Sequence, residues 1–474
     1  MYCRDYIFAV LILCLGGSAW SASVLPTGSA PPGLEFPHFP DRVHTFVWRN
    51  WSVVEPERLA VVLGTSVGNV AAIAESMGLS PSRPIPSEQK ARGYITVLRR
   101  NWHLLPYEQL LTLLDMSAEQ LAYSLREDDF LFIKLGQLKP TCEPLKYVPP
   151  NEQAKKRAAE IKRIVRETFG DEFSQPAEPR FAFVRQLNKP RPPRLKNEVG
   201  GERREVGKET VARRVASRGE AHFALRFIYS YFALYGDPLA NPELDPYPDG
   251  LLQRLAELGV NGVWIHTVLR HLAPSETFPE FGVGHEIRLG NLRKLVERAK
   301  RYGIGVYLYI NEPRAMPETF FKTRPHIKGV REGDFIAMCT SVPEVRQWLT
   351  DSLAYVFENV PDLAGVFTIT ASENLTNCAS HHGPAQCPRC KDRAPAEIIA
   401  EVNTAIVAGV HRANPDARVL VWDWGWVDAW VKDIIANLPK SVWLMSVSEW
   451  SKPITRGGVK SVVGEYSISA VGPG

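Results

Sequence analysis

The feature that most constrains the fold is a series of short, apolar segments in the second half of the chain. They are rich in β-branched residues and alternate with stretches of helical periodicity that begin or end near Gly or Pro. Strands that are apolar almost throughout and are separated by helices are typical of a parallel sheet covered on both faces. The segments that predict strands are residues 225–232, 262–268, 304–310, 364–371, 418–424, 442–447 and 459–464.

The number and spacing of these segments favour the α/β class and, within it, a (β/α)8 barrel of the TIM type over residues 221–474. The pattern holds seven strands. We therefore expect a barrel that is truncated or incomplete at its C-terminus, or one that an earlier strand at residues 181–184 helps to close. No glycine-rich phosphate loop follows the first strand, so a dinucleotide-binding sheet has little support.

A targeting signal is predicted at residues 1–22. Arg4 precedes an apolar run at residues 7–17, and small residues follow at Ala19, Ser21 and Ala22. This is the three-part layout of a secretory signal peptide, and the run is too short to anchor the chain stably in a bilayer. We expect a secreted or periplasmic protein without a stable membrane anchor, with a lipoprotein attached through Cys14 as the alternative.

Two segments with different compositions lead from the signal into a small helical module. Residues 23–40 are rich in Pro, Gly and Ser and predict a flexible leader. Residues 41–148 predict helices with a weak internal repeat, because Arg49-Asn50-Trp51 recurs as Arg100-Asn101-Trp102 and an amphipathic pattern follows each copy. Residues 58–79 also resemble a helix-turn-helix, but export would separate the protein from DNA, so a compact accessory module is the favoured interpretation.

Residues 149–220 predict a basic connector between the helical module and the barrel. Basic residues outnumber acidic ones there, whereas the formal net charge of the whole chain is only +4. That overall charge does not indicate a nucleic-acid partner or a membrane-surface protein. The favoured interpretation is a solvated linker, and contact with an anionic polymer is the alternative.

Polar and aromatic residues follow the predicted strands at their C-terminal ends. In a barrel of this kind those ends converge on one mouth, so these residues are expected to act together. Carboxylates flanked by flat aromatic faces are what a site for a carbohydrate substrate requires. The candidates for substrate contacts are His266, Asn311, Glu312, Asn374, Trp422, Trp424, Trp426, Glu449, Trp450 and Tyr466.

Glu373 is the candidate general acid. Hydrolysis of a glycosidic bond needs one carboxylic acid to protonate the leaving oxygen and a second group to stabilise or attack the oxocarbenium-like centre. Glu373 ends the most apolar strand, where partial burial would raise its pKa toward the working range. Glu465 is expected across the mouth as the catalytic partner, with Asp423 and Glu449 as alternatives. For each carboxylate the alternative is a structural ion pair or a clamp on substrate hydroxyls.

Four motifs carry a family resemblance. They are Asn311-Glu312-Pro313, the segment from Met338 to Val345, the strand that ends at Ser372-Glu373, and Val421-Trp422-Asp423. Their succession is similar to the barrel of the family-20 glycoside hydrolases, the β-N-acetylhexosaminidases. In that family an acidic pair closes strand four, and the substrate's own acetamide is the nucleophile. The resemblance implies that Glu373 is the general acid.

The resemblance departs from the family pattern at Ser372, which occupies the position of the aspartate that orients the acetamide. A serine can form a hydrogen bond with an acetamide but cannot stabilise the charge of a developing oxazolinium ion. Substrate-assisted cleavage and a barrel with a protein nucleophile are therefore both open. Asn311-Glu312-Pro313 also resembles the acid/base motif of the large retaining-hydrolase clan, but it falls on strand three instead of strand four.

Three cysteines and two histidines lie just after the fourth predicted strand. Cys387 and Cys390 have the spacing of a zinc knuckle, and Cys378 with His382 or His381 would complete a structural zinc site. Cys339 is an alternative fourth ligand. A disulfide such as one between Cys378 and Cys387 is the competing interpretation for an exported protein. No cofactor is expected for catalysis.

The sequence as a whole predicts an exported glycosidase that acts on a carbohydrate substrate, with Glu373 as general acid/base. The alternative is a barrel that binds carbohydrate without cleaving it. Two carboxyl groups across the mouth would favour hydrolysis, whereas a single one among aromatic side chains would favour binding.

Overall fold

The computed structural model describes residues 25–128, 131–170, 182–191, 223–371, 374–381, 383, 385–447, 453–456, 458–462 and 468–471. The chain divides into two compact units, Met1–Ala177 and Glu178–Gly474.

The first unit is helical and has its own apolar core. Its buried side chains come from every helix between residues 42 and 134, and Trp102 and Phe46 are among the largest that are fully buried. The helices are Arg42–Asn50, Pro56–Leu63, Val67–Ser76, Ser87–Asn101, Tyr107–Leu114, Ala118–Glu127, Leu131–Lys134 and Glu152–Phe169. The last of these falls in the segment for which the sequence predicts a connector, and its Ala158 is buried in the core of this unit.

The weak sequence repeat corresponds to a repeated arrangement of three helices. The helix that ends at Asn50 and the helix that ends at Asn101 are each followed by a helix of 8 residues and then one of 10 residues. Asn50 and Asn101 lie 51 residues apart, are fully buried, and donate an amide hydrogen bond to each other, at 2.9 and 2.7 Å. Each also donates to the carbonyl four residues earlier in its own helix. The two copies therefore pair through the same residue.

The turns within the two copies are also equivalent. Gly64 and Asp115 both adopt the left-handed conformation at the end of the second helix, with φ of 63° and 57°. Ser66 and Ser117 then cap the third helix by accepting from the backbone N–H three residues later. Left-handed caps and Ser N-caps explain why the helices stop and restart at these points.

The predicted helix-turn-helix corresponds to Pro56–Leu63 and Val67–Ser76, which pack in the core of the first unit. Within the part of the chain that the structure describes, no single helix is long and apolar enough to cross a membrane. This pair meets the length and composition criteria only when its two helices are taken together, and it is bent by 104°.

The second unit contains a curled sheet of six parallel strands, which a seventh strand extends. The sheet strands are β1 Phe227–Ile228, β2 Gly262–His266, β3 Gly305–Ile310, β7 Gly365–Ile369, β8 Arg418–Trp422, β9 Trp443–Val447 and β12 Ile468–Val471. The parallel strands follow the order β1-β2-β3-β7-β8-β9, and β12 pairs antiparallel to β9. The six segments predicted first from the sequence all contribute strands to this sheet.

The two faces of this sheet bury different side chains. One face carries aliphatic residues such as Val263 and Leu308, which pack with the surrounding helices in the largest apolar core of the chain. The opposite face carries large aromatic residues such as Trp264 and Tyr309, which form a separate cluster. Side chains alternate along each strand, so both faces are buried, as expected of parallel strands. The helices are Ala182–Asn188, Asp249–Glu257, His285–Lys300, Pro343–Asn359, Pro395–Ala413 and Asp428–Asn437.

Two predictions about closure of the barrel are wrong. Residues 182–188 form a helix instead of a closing strand, and four apolar residues in a row are too few to distinguish the two by periodicity. The seventh predicted strand, residues 459–464, contributes β11 (Val459–Val462), which forms a hairpin with β10 (Pro453–Arg456) outside the main sheet. The described residues thus form a partial barrel-like sheet.

An unpredicted sheet is inserted between β3 and β7. It contains three short antiparallel strands, β4 Met316–Pro317, β5 Lys328–Glu332 and β6 Phe335–Met338, with β6 in the centre. The register shifts between Lys328 and Arg331, so β5 does not show a regular alternation of polar and apolar residues. This insertion delivers Cys339 to the segment just before the helix Pro343–Asn359.

Candidate functional site

A continuous row of aromatic rings lies on one face of the sheet. Tyr309 and Phe367 stack with centroids 4.8 Å apart, and Trp422 lies 5.4 Å from Phe367. Trp424 extends the row 5.5 Å beyond Trp422. Trp422 is buried and Trp424 is half-buried. The row runs toward the C-terminal edge of the strands.

His266, which ends β2, contacts a buried arginine from the loop after β3. Its Nε2 lies 2.8 Å from the Nη2 of Arg314, and both side chains are almost fully buried. The arginine donates, so this nitrogen of His266 is the acceptor and the ring is neutral in this arrangement. Arg314 therefore brings a fixed positive charge to the ends of β2 and β3.

Glu312 is buried at the same edge and is fully inaccessible to solvent. Its two carboxylate oxygens accept hydrogen bonds from the backbone N–H groups of Leu269, at 2.7 Å, and Arg314, at 3.0 Å. Burial raises the pKa of Glu312, and the nearby charge of Arg314 opposes part of that effect. This carboxylate joins the loops after β2 and β3, and the substrate contact expected from the sequence stays a prediction.

Asn311 and Asn374 meet between β3 and β7. Asn374 Nδ2 donates to Asn311 Oδ1 at 3.3 Å, and Asn311 Nδ2 donates to the carbonyl of Ile369 at 3.3 Å. Asn311 is buried and Asn374 is half-buried. The residue that follows Glu373 in the chain therefore lies beside the loop that holds Glu312 and Arg314.

Trp426 has a packing role. Its side chain is buried, and its indole N–H donates to the hydroxyl of Thr370 at 3.3 Å. The carbonyl of Thr370 accepts from the amide of Asn377 and the hydroxyl of Thr376. These bonds fix the start of the loop after β7, so Trp426 supports that loop from behind.

Asp423 follows β8 and is partly exposed at the same edge. Its Oδ2 accepts a hydrogen bond from the hydroxyl of Ser446 in β9, and its backbone N–H donates to the carbonyl of Met445. It lies between Trp422 and Trp424 in sequence. Asp423 is thus a carboxylate held at the end of a strand, next to the half-buried indole of Trp424.

Six residues of the predicted site lie outside the described residues. They are the candidate acid Glu373 and its partner Glu465, the substrate candidates Glu449, Trp450 and Tyr466, and the candidate metal ligand His382. Ser372 also lies outside them. Their roles stay predictions from the sequence.

Four cysteine sulfurs converge behind the loop after β7. Cys339, Cys378, Cys387 and Cys390 are buried, and their Sγ atoms all lie within 4.8 Å of one another. All four are free thiols, as is the half-buried Cys142 in the first unit. Hydrogen bonds from the other three thiols, with Cys378 first, lower the pKa of Cys339. Cys339 completes a set of four without a histidine.

Sequence reasoning missed Arg314 and the hydroxyl and amide groups around Thr370. Arg314 directly follows the Asn311-Glu312-Pro313 motif, so the signal was an arginine just beyond an expected strand-end acid. Thr370 directly follows β7, whereas the sequence predicts a strand that extends to residue 371. Both residues act through contacts with other loops, and a local sequence pattern does not predict such contacts.

No family model and no curated protein matches this chain. Several solved structures resemble part of it. One is a GH138 enzyme targeting pectin rhamnogalacturonan II, with 14% sequence identity and a TM-score of 0.30. Another is CpGH89 from Clostridium perfringens, in complex with its substrate GlcNAc-α-1,4-galactose, with 15% sequence identity and a TM-score of 0.34. A GH20 exo-β-N-acetylglucosaminidase from Vibrio harveyi, in complex with N-acetylglucosamine, matches at 12% and 0.31.

The similarity to the GH138 enzyme covers 48% of this chain and 25% of that enzyme. The corresponding shares are 50% and 29% for CpGH89, and 48% and 38% for the GH20 enzyme. The chain thus spans well under half the length of these three structures. Similarity at these TM-scores is too low to assign a fold or an activity, so the function has to be argued from the chain's own residues.

Proposed function

We propose that the second unit is a glycoside hydrolase in which Glu373 acts as general acid/base at the C-terminal edge of the sheet. The observation that carries the proposal is that polar and aromatic groups lie together at that edge. Buried Arg314 and His266 supply charge and hydrogen-bonding groups beneath it, Asn374 is half-buried there, and Trp424 is a half-buried indole. Sugars are bound by this combination of polar groups and flat apolar rings.

The chemistry assigned to Glu373 follows from its position after β7. Glu373 is the neighbour of Asn374, whose amide is fixed by Asn311. A carboxylic acid there would protonate the glycosidic oxygen as the bond to the anomeric carbon breaks. The fixed positive charge of Arg314 would favour the ionised form of a carboxylate close to it. Glu373 needs that ionised form when it acts as the base.

The second carboxylate in the proposal is Glu465 or Asp423. Asp423 has one oxygen committed to the Ser446 hydroxyl. Its other oxygen would stabilise the developing oxocarbenium ion or activate water. A carboxyl separation of about 5 Å predicts retention of configuration, and a separation of about 6.5–9.5 Å predicts inversion.

The test is a screen of aryl-glycosides and glycans with the full-length protein and with Glu373→Gln. The substitution removes the acid but keeps the shape, so we expect kcat to fall by about 10²- to 10⁴-fold on any substrate that the protein cleaves. Glu297→Gln, at an exposed position on the helix His285–Lys300, is the matched control and should leave kcat unchanged.

Unchanged turnover in Glu373→Gln would refute the assignment of the acid. Saturable binding of a glycan with no turnover by the unmodified protein would instead identify a carbohydrate-binding barrel. We also propose that the protein is exported, on the basis of the signal at residues 1–22. N-terminal sequencing of the protein recovered outside the cytoplasm tests that proposal separately, because it does not depend on activity.

A further inference from the structure

We propose that Cys339, Cys378, Cys387 and Cys390 bind one zinc ion as four thiolate ligands. The proposal concerns a structural site behind the loop after β7 and does not depend on the activity proposed above. Cys339 replaces the histidine that the sequence analysis favoured.

The spacing of the sulfurs fits a single tetrahedral ion. A zinc–sulfur bond of about 2.3 Å places the sulfurs at the corners of a tetrahedron whose edges are roughly 3.8 Å. Cys339 Sγ lies 3.7 Å from Cys387 Sγ and 3.6 Å from Cys390 Sγ, and every sulfur pair in the set is within 4.8 Å. A tetrahedral set of four sulfurs is typical of zinc or iron, and these short distances leave room for one ion and not for a cluster.

Three separate segments supply the ligands. Cys339 follows the inserted strand β6, Cys378 lies in the loop after β7, and Cys387 and Cys390 form a turn ahead of the helix Pro395–Ala413. Within that turn, the N–H groups of Cys390 and Lys391 donate to the carbonyl of Cys387. The turn thereby directs both of its sulfurs to the same side, which is the geometry of a zinc knuckle.

Positive charge and hydrogen bonds surround the sulfurs. One zinc ion with four thiolates carries a net charge of −2, which is costly to bury without compensation. Arg389 Nε donates to Cys339 Sγ at 3.4 Å. The Ser341 hydroxyl lies 3.1 Å from Cys390 Sγ and accepts from Arg393 at 2.5 Å, so its own proton is available to the sulfur. Such partners hold and tune metal ligands in known sites.

The backbone of β5 lies close to the sulfur cluster. A Cβ on Gly329, in β5, would lie 2.8 Å from Cys378 Sγ and 2.8 Å from the carbonyl oxygen of Ala337. Glycine at this position lets β5 approach the cluster closely. The ion would therefore join the inserted three-stranded sheet to the loop that leads from Glu373 to the next helix.

The first experiment is metal analysis of the full-length protein, purified without added metal. We expect one zinc per chain, and loss of most of that zinc in Cys387→Ser and in Cys390→Ser. Cys142→Ser is the matched control, because Cys142 is a free cysteine outside the cluster, and it should keep its zinc. Arg389→Ala, which removes a hydrogen bond to a ligand, should weaken zinc binding by about 10- to 100-fold.

A second measurement decides the matter if the serine variants do not fold. Cobalt added to zinc-depleted protein should give the intense visible absorption of a tetrahedral tetrathiolate site, and chelation should lower the thermal unfolding temperature. Unmodified protein that contains no metal, or iron in place of zinc, overturns the proposal. So does mass spectrometry that finds a disulfide among the four cysteines. Loss of activity alone would bear on the proposed function and not on the metal.

Discussion

Glu312 shows how a residue suited to catalysis can have a structural task. The sequence presents it as a strand-end carboxylate within Asn311-Glu312-Pro313. The structure buries it completely, with both oxygens bound to the backbone N–H groups of Leu269 and Arg314. The sequence shows that a carboxylate ends β3, but it does not record which donors in other loops will surround it.

We expect Glu312→Gln to lower the free energy of unfolding at neutral pH by about 1–3 kcal/mol. The new amide group would turn two N–H donors toward a backbone N–H that needs an acceptor. Chemical denaturation of the second unit, followed by circular dichroism, measures the effect. Glu297→Gln is exposed and should change the free energy of unfolding by less than about 0.5 kcal/mol.

Comparison of the unmodified protein with Glu312→Gln also gives a prediction about the pH dependence of stability. Burial raises the pKa of Glu312 in the folded state, so folding takes up a proton between the unfolded and folded pKa values. The stability contributed by this group is then greatest below the unfolded pKa and declines as the pH rises through the folded pKa. The cost of Glu312→Gln should therefore shrink as the pH rises from 4.5. A cost that grows with pH would show that the site favours the carboxylate.

At the level of elements, three glycines allow the strands to pack around one aromatic ring. Gly262, Gly305 and Gly365 lie near the starts of β2, β3 and β7, and a Cβ on any of them would approach the ring of Tyr307 within 2.9 to 3.6 Å. The phenol is fully buried and accepts from Arg418 Nη1 at 3.1 Å. Because these three glycines carry no side chain, the ring of Tyr307 fits between the strands.

Gly365→Ala should destabilise the second unit by about 1–3 kcal/mol, the usual cost of overpacking. Its Cβ would lie 2.0 Å from the carbonyl oxygen of Arg418, which is backbone and cannot rotate away. Gly290→Ala is the control, because nothing lies within 4 Å of its Cβ on the helix His285–Lys300. Removing a helical glycine there should stabilise by about 0.5–1 kcal/mol. Equal effects at the two positions would contradict the packing argument.

The elements that the sequence predicts well are those with a long, regular period. The strands β2, β3, β7, β8 and β9 lie close to their expected positions, and helices lie between the strands as the sequence pattern indicates. The inserted sheet was missed because its strands are two to five residues long and one has a register shift. The helix Ala182–Asn188 was predicted to be a strand because a short apolar run fits either period.

At the scale of the whole molecule, the first unit contains two copies of one three-helix pattern. They are joined by a reciprocal bond between Asn50 and Asn101. The sequence shows the repeat as a three-residue match with a spacing of 51 residues, followed in each copy by an amphipathic pattern. The pairing of the two asparagines depends on how the copies face each other, which that match does not specify.

Asn50→Ala and Asn101→Ala should each lower the free energy of unfolding by about 1–3 kcal/mol, because each leaves the partner amide buried without its hydrogen bond. The double variant should cost less than the sum, with a coupling energy of about 0.5–3 kcal/mol. Asn437→Ala is the control, since Asn437 makes the same bond to the carbonyl four residues earlier on an exposed helix face. Additive losses would show that the pair contributes no coupling.

The row of rings that runs from Tyr309 through Phe367 and Trp422 to Trp424 also gives the protein an optical property. Indoles held 5.5 Å apart at a fixed angle of 31° couple their electronic transitions, which produces a strong near-ultraviolet circular dichroism signal. Trp424 stands at the partly open end of that row. A ligand that binds against Trp424 would alter both the near-ultraviolet circular dichroism signal and the tryptophan fluorescence. Ligand binding at this edge can therefore be measured spectroscopically, whether or not any bond is cleaved.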